Sequence, residues 1–319
     1  TIQNNMLTEL TNKYGIEFKF DKHNNFYLFG VYVVQAGHST KAHLEKIRGM
    51  TSYGAYINEA TLANEEVFDE IRSRCSGEGA RVLVDTNPDH PEHWLLKDYI
   101  ENPDENIISY SFELDDNTFL SERYKQQKNT TPSGMFYDRN IKGKWVSGDG
   151  VVYADFDVNK HTINQSELSK IKMVRYFCGV DWGYEHYGAI VVVGVDEQGN
   201  YYVVEEHAHQ HKDIDAWVNI AKEIKIRYGN IPFYCDSARP EYVVRFSKEK
   251  LDAINANKTV ILGIEKVATL MKTNQFYIDY DNAPRFRQEI FNYIWHKTKD
   301  EPMKEYDDVM DAIRYAILS

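Results

Sequence analysis

The sequence predicts an α/β protein in two parts. In the first part, strand-length apolar runs alternate with segments of helical period, which implies a parallel sheet. In the second, three strand-length runs follow one another across a tight turn, and helix, strand, helix and strand come after them. A glycine-rich stretch, Gly143-Lys144-Trp145-Val146-Ser147-Gly148-Asp149-Gly150, lies between the two. The expected division is a first domain over 1–142, a linker over 143–172 and a second domain over 173–319.

In the first part, Phe26 to Gln35 reads as a buried strand, and Lys41 to Arg48 as a short polar helix. Tyr53 to Ala60 reads as a strand ending in polar Asn58 and Glu59. Asn64 to Cys75 is expected to be helical, because Val67, Ile71 and Cys75 recur at helical spacing, and Ser76-Gly77-Glu78-Gly79 stops it. Arg81 to Pro88 is a further strand running into a polar turn.

In the second part, Val174 to Val180, Ala189 to Val195 and Tyr201 to Glu206 form an antiparallel meander, with Asp196 to Asn200 as one turn. Ile214 to Tyr228 is an amphipathic helix. Pro232 to Asp236 is a fourth strand, Glu241 to Lys250 a helix and Thr259 to Ile264 a fifth strand. Pro284 to His296 and Glu305 to Leu318 are closing helices. This order is that of a ribonuclease H-like fold: a mixed five-stranded sheet with flanking helices.

Composition narrows the classes. Apolar residues make up 42% of 319 residues, enough for real cores. No apolar run approaches bilayer length, and no basic segment followed by an apolar one opens the chain. The chain opens without Met, as an excised piece of a longer protein would. The three cysteines, Cys75, Cys178 and Cys235, form no CxxC pair, which fits a reducing compartment; Cys178 and Cys235 are expected as buried, inert thiols. A net charge of −12 argues against an unaided grip on nucleic acid, so an enzyme acting on DNA here needs metal ions or partners to offset its acids.

Three aspartates carry the chemistry. Asp181 ends the first strand of the second part, with Gly183 two residues on. Asp236 ends the fourth, its expected neighbour in the sheet. In the last helix, Val309, Met310, Ile313, Ala316 and Ile317 form an apolar stripe, and Asp308, Asp311 and Tyr315 lie on another face. With that stripe on the sheet, Asp311 leans toward Asp181 and Asp236. Clustered carboxylates repel unless a cation joins them, and hard oxygen donors suit Mg²⁺ or Mn²⁺. Taken singly, each Asp reads more simply as a turn former or a solvated charge; it is the three together, in this strand order, that point to a metal site.

With these residues in place, the chain resembles the large terminase subunit of tailed phages. The resemblance rests on GVDWG (Gly179 to Gly183), YCDSARPE (Tyr234 to Glu241), YDDVMDAIRYAI (Tyr306 to Ile317), the Gly143-Lys144-Trp145 joint and Val151 to Phe156. It implies a metal-dependent endonuclease that cuts concatemeric double-stranded DNA. Two ions would be held by Asp181, Asp236 and Asp311, with Asp308 as a further metal-side residue. It also implies a small terminase subunit and a capsid portal as partners, a homo-oligomeric ring on the portal, and action in the cytoplasm of an infected bacterial host and transiently at the procapsid. The first part resembles the later portion of the terminase P-loop ATPase. Glu59 would orient the attacking water, Asn58 stands where an Asp commonly helps hold Mg²⁺, and Thr86-Asn87-Pro88 resembles a coupling motif. No GxxxxGK[ST] occurs in the chain, and Gly37-His38-Ser39-Thr40-Lys41 is a superficial likeness, so ATP turnover is expected of a complete protein and not of this polypeptide alone.

Other features divide between function and ordinary surface. Arg239, Arg245, Lys248, Lys250, Lys266 and Lys272 could contact phosphates, or be plain surface charge. His207, His209 and His211 could suit zinc, but read more simply as a polar strand end; Glu205 and Glu206 read as solvated strand-end charge, or one of them as an acid supporting the site, and His90 and His93 as loop polars. Two rival functions stand beside the nuclease. A sugar- or actin-like kinase could use Asp181-x-Gly183, but needs a second Asp-x-Gly that Asp236-Ser237-Ala238 does not supply. A non-catalytic docking scaffold is the other.

Overall fold

The computed structural model describes residues 2–102, 104–128, 130–296 and 299–319. By internal contacts the chain forms two compact units, Thr1–Asn87 and Pro88–Ser319.

The first unit contains α1 (Ile2–Tyr14), β1 (Phe26–Leu28), β2 (Val31–Val33), α2 (Leu44–Ile47), β3 (Gly54–Ile57), α3 (Glu65–Arg74) and β4 (Arg81–Val84). The long strand expected over 26–35 is instead a hairpin of two three-residue strands. Phe29 and Gly30 both take positive φ, 51° and 81°, which turns the chain back on itself. Its apolar residues Tyr27, Phe29, Val31 and Tyr32 are exposed, so the run is not buried. β3 and β4 pair in parallel, as alternation with a helix predicts. Leu44, Ile47 and Val67 form a small core with Ile71 against it.

The second unit contains α4 (Glu122–Lys128), α5 (Met135–Asn140), α6 (Val158–His161), β5 (Thr162–Ile163), α7 (Gln165–Leu168), β6 (Met173–Asp181), β7 (Gly188–Asp196) and β8 (Tyr201–His209). There follow α8 (Ile214–Tyr228), β9 (Pro232–Cys235), α9 (Pro240–Lys248), β10 (Asp252–Asn255), α10 (Val260–Lys272), β11 (Phe276–Asp279), α11 (Pro284–Glu289) and α12 (Asp308–Leu318). The sheet has seven strands, not five, in the order β10-β9-β6-β7-β8-β11-β5. β6, β7 and β8 are antiparallel; the outer strands join in parallel. The expected strand over 259–264 is the start of α10, and the strand beside β9 is β10. The stretch 143–172 contributes β5 and packs Val152, Tyr153 and Phe156 into the same core as Met135 and Phe136.

Strand alternation assigns the two faces. On β7, Ile190 and Val192 pack with Cys178, Val180, Phe233 and Cys235 against Trp217, Val218, Ala221 and Ile224 of α8 and Phe246 of α9. Ala189, Val191 and Val193 face the other way, into a core with α10, α11 and α12. Both faces being covered makes β7 apolar along most of its length and buried throughout. Cys178 and Cys235 are free, buried thiols on the α8 face. Among the described residues, no helix is long and apolar enough to cross a membrane.

Candidate functional site

Alternation places the two strand-end aspartates on one side of the sheet, the side on which α12 packs. Cys178 and Val180 face α8, so Gly179 and Asp181 face α12. On β9, Phe233 and Cys235 face α8, so Tyr234 and Asp236 face α12 as well. The strands run in parallel with Val180 opposite Cys235, and the Asp236 N–H donates to the Val180 carbonyl at 2.9 Å. Asp181 and Asp236 therefore leave neighbouring strands at the same end.

Glycines bring the third acid in. A Cβ built on Gly179 would lie 1.8 Å from the Ala312 carbonyl oxygen, so the α12 backbone rests on β6 beside the residue after Asp311. A Cβ on Gly183 would lie 2.0 Å from the Tyr187 carbonyl oxygen, so the loop after Asp181 must double back tightly. Trp182 donates from its indole Nε1 to the Asp236 carbonyl at 2.8 Å and packs edge-on against Phe246, tying the two strand ends together.

The N-terminus of α12 is anchored by a buried ionic network. Glu289 accepts from the Val309 and Met310 N–H groups, 2.8 and 3.1 Å, and from Arg285 Nε at 2.6 Å. Burial pushes the Glu289 carboxyl up to about 8, against the pull of Arg285. Arg285 also reaches Asp308 Oδ2 at 2.9 Å and lies 4.0 Å from the Tyr187 ring centre. Asp308, expected beside the metal, is thus engaged by Arg285. Glu206 accepts from the Arg285 and Phe286 N–H groups, capping α11. Glu205 turns to the α8 side, where Arg227 and Tyr228 donate to it. Both glutamates are half-buried and bonded rather than solvated strand-end charges.

The acids differ in their partners. Asp311 pairs with Arg314 at 2.8 Å and accepts long hydrogen bonds from Tyr293 and Tyr315 hydroxyls, 3.5 and 3.4 Å. Asp236 pairs with Lys258 at 2.5 Å and accepts from the Ala238 N–H at 3.0 Å. Among the described residues, the Asp181 carboxylate has neither a hydrogen bond nor an ion pair. Burial, and then Asp311, Asp236, Asp308 and Asp307, push its pKa well up. Burial and the same acidic neighbourhood raise Asp307 to about 6.

The site is therefore converged but not closed. No group of three or more His, Cys, Asp or Glu among the described residues stands near enough to hold a metal ion. The donor chemistry nonetheless fits a hard divalent cation, because Asp181 is an uncompensated carboxylate facing other acids. The sequence reading missed Asp307, Lys258, Arg285 and Arg314. Only Arg314 left a signal, its three-residue spacing from Asp311.

The remaining candidates are dispersed. Arg245 pairs with Glu249 and with Asp215 at 2.9 Å, and Lys272 with Asp155 at 3.3 Å. Arg239 lies over the Tyr242 ring, 5.4 Å from its centre. Lys248, Lys250 and Lys266 are exposed. His207 contacts Glu205 at 3.0 Å, His209 is on β8 near Trp217, and His211 lies beyond the strand with φ 54°. In the first unit, Glu59 follows β3 in the left-handed region, φ 51°, its N–H held by Asp85 Oδ1 at 2.7 Å. Asp85 also accepts from the Tyr56 hydroxyl. Asn58 is half-buried, Thr86 bonds Thr61, and the Asn87 carbonyl accepts from Thr86 at 3.1 Å.

Comparison with known proteins bears on this arrangement. Residues 3–160 match the family model of the T4-like-virus-type terminase large subunit, N-terminal part. Over residues 3–160 the chain belongs to the terminase large-subunit family. A structure of the large terminase from a thermophilic bacteriophage superposes with a TM-score of 0.83 at 23% identity, covering 98% of this chain and 80% of that one. The same phage's large terminase in complex with ADP gives a TM-score of 0.79 at 24% identity, covering 98% and 81%. At these identities the likeness is one of fold, and it runs past residue 160 over nearly the whole chain. Comparison with curated protein sequences gives no match.

Proposed function

We propose that this terminase chain is the DNA-cutting part of a viral packaging motor, a metal-dependent endonuclease acting on double-stranded DNA. The single observation that carries the reading is Asp181. It is a carboxylate with no partner among the described residues, at a strand end, facing Asp236 and Asp311 across a glycine-permitted helix contact. A half-buried strand-end carboxylate left without a partner among acids marks a candidate functional group.

Asp181, Asp236 and Asp311 would hold the cation, and Arg285 and Glu289 would fix the helix from which Asp311 reaches. A divalent ion bound there would supply the charge that activates water and offsets the leaving oxygen of a phosphodiester. The net charge of −12 leaves little general attraction for DNA. Presentation of DNA by a small subunit and a portal in the host cytoplasm, with the chain in a ring, completes the proposal. Glu59 and Thr86-Asn87 belong, in this reading, to an ATPase whose phosphate-binding loop this sequence does not contain.

The test is cleavage of supercoiled plasmid with Mn²⁺, comparing the chain with Asp181→Ala. The variant should lose cutting while remaining folded, and should be more stable than the parent by about 1 kcal/mol in chelator at neutral pH, because a carboxyl whose ionisation the fold disfavours is gone. Retained cutting contradicts the assignment.

A further inference from the structure

Two cations pair with two of the three acids, Arg314 with Asp311 and Lys258 with Asp236, and they are held differently. Arg314 has a side chain only 3% exposed. A Cβ on Gly263 of α10 would lie 2.4 Å from its Cγ, so the side chain runs closely beneath that helix. Lys258 has a side chain 41% exposed and reaches Asp236 Oδ1 from a short loop between β10 and α10.

That loop is pinned where a mobile loop would not be. The Ala256 N–H donates to the Cys235 carbonyl at 2.8 Å, one residue before Asp236. The Asn257 N–H donates to Ser319 Oγ at 2.8 Å, and Asn257 Oδ1 accepts from the Thr259 N–H at 3.1 Å. The Lys258 carbonyl accepts from Arg314 Nη1 at 3.3 Å. The backbone is thereby tied to the ends of both β9 and α12, while the ammonium remains on a flexible, solvent-reaching stem. Asp236, Lys258, Arg314 and Asp311 form one continuous chain of contacts, and Asp181 stands outside it.

We propose that Lys258 is the displaceable counter-ion of this site: it holds Asp236 in the ion-free chain and moves to a DNA backbone phosphate when a divalent cation takes its place. The inference rests on the nuclease reading. A divalent ion arriving while Lys258 stays would put two cations against one carboxylate, which Coulomb repulsion disfavours. A phosphate brought alongside the acids gives the ammonium a second anion within reach of the same stem. Lys258 is then a positioning residue that couples DNA binding to ion binding. Each should strengthen the other.

The experiment is Mn²⁺ titration of the whole chain without DNA, by calorimetry at low ionic strength, on the parent, Lys258→Met, Lys258→Arg and Asp181→Ala. Lys258→Met should bind Mn²⁺ about tenfold more tightly, a change of about 1.4 kcal/mol, because no counter-ion must leave. Lys258→Arg should stay near the parent. With Mn²⁺ saturating, the salt dependence of duplex binding should fall by about one counter-ion in Lys258→Met. Unchanged or weaker Mn²⁺ binding by Lys258→Met overturns the inference while leaving the nuclease reading intact. Parent binding that Asp181→Ala does not reduce overturns the nuclease reading itself, and this inference with it.

Discussion

The two units solve the same problem, a polar side chain placed at the end of a strand, with unequal means. In Thr1–Asn87, Glu59 follows a four-residue strand paired with one other, and Tyr56 and Leu83 of that pair are 59% and 64% exposed. In Pro88–Ser319, Asp181 ends a nine-residue strand inside a seven-stranded sheet, beside a strand whose Val191 is 0% exposed. A short, uncovered sheet holds Glu59 by one backbone hydrogen bond to Asp85. A sheet covered on both faces can carry an uncompensated acid, because the burial of many apolar groups offsets the cost of one. The difference teaches where rigid chemistry can be built in this chain.

The contrast breaks most completely at Gly179. Replacing it with Val drives a side chain into the α12 backbone and should cost about 3 kcal/mol or more, with loss of ion binding as Asp311 is pushed away. Thermal unfolding and Mn²⁺ titration of Gly179→Val check both, and a stable, metal-binding variant would contradict the packing described. A paired truncation gives a smaller effect. Val191→Ala, in the covered sheet, should cost about 2 kcal/mol, whereas Leu83→Ala should fall within about 0.5 kcal/mol of the parent. Denaturant titration followed by hydrogen exchange in each unit measures both; equal costs would erase the distinction.

A pH experiment sharpens the comparison further. Burial alone would raise the Glu205 carboxyl, but hydrogen bonds from His207, Arg227 and Tyr228 bring it down to about 2. A folded-state pKa below the unfolded value of about 4.3 gives stability that is full above the unfolded pKa and is lost as pH falls toward 2. Glu205→Gln should therefore flatten the acid limb of the stability curve between about pH 5 and pH 2, by on the order of 2 kcal/mol, and leave Mn²⁺ binding unchanged. An acid limb identical to the parent would show that the α8-side network contributes nothing.

Much of this is legible in the sequence, for reasons that differ by element. Ile214–Tyr228 is legible to the residue, because fifteen residues of helical period end at Gly229. The meander over 173–209 follows from its apolar runs and its Asp196 to Asn200 turn. The run Thr259 to Ile264 misleads, since a short apolar segment rich in branched residues suits a buried helix as well as a strand. The true neighbour, Asp-Ala-Ile-Asn at 252–255, is an edge strand with little burial and so little pattern. Gly30, in a left-handed turn beside Phe29, splits the 26–35 run that composition alone makes continuous. At the site, the acids stand out because strand ends and helix faces are periodic features. Lys258 does not, because a lone lysine in a loop carries no period; its meaning comes from the carbonyls and hydroxyl that pin that loop.

The most direct measurement is anomalous diffraction from crystals soaked in Mn²⁺. The account predicts strong manganese density among Asp181, Asp236 and Asp311, with the Lys258 ammonium withdrawn from Asp236. Crystals that take up manganese elsewhere, with those three carboxylates apart and Asp236 still paired to lysine, would contradict it.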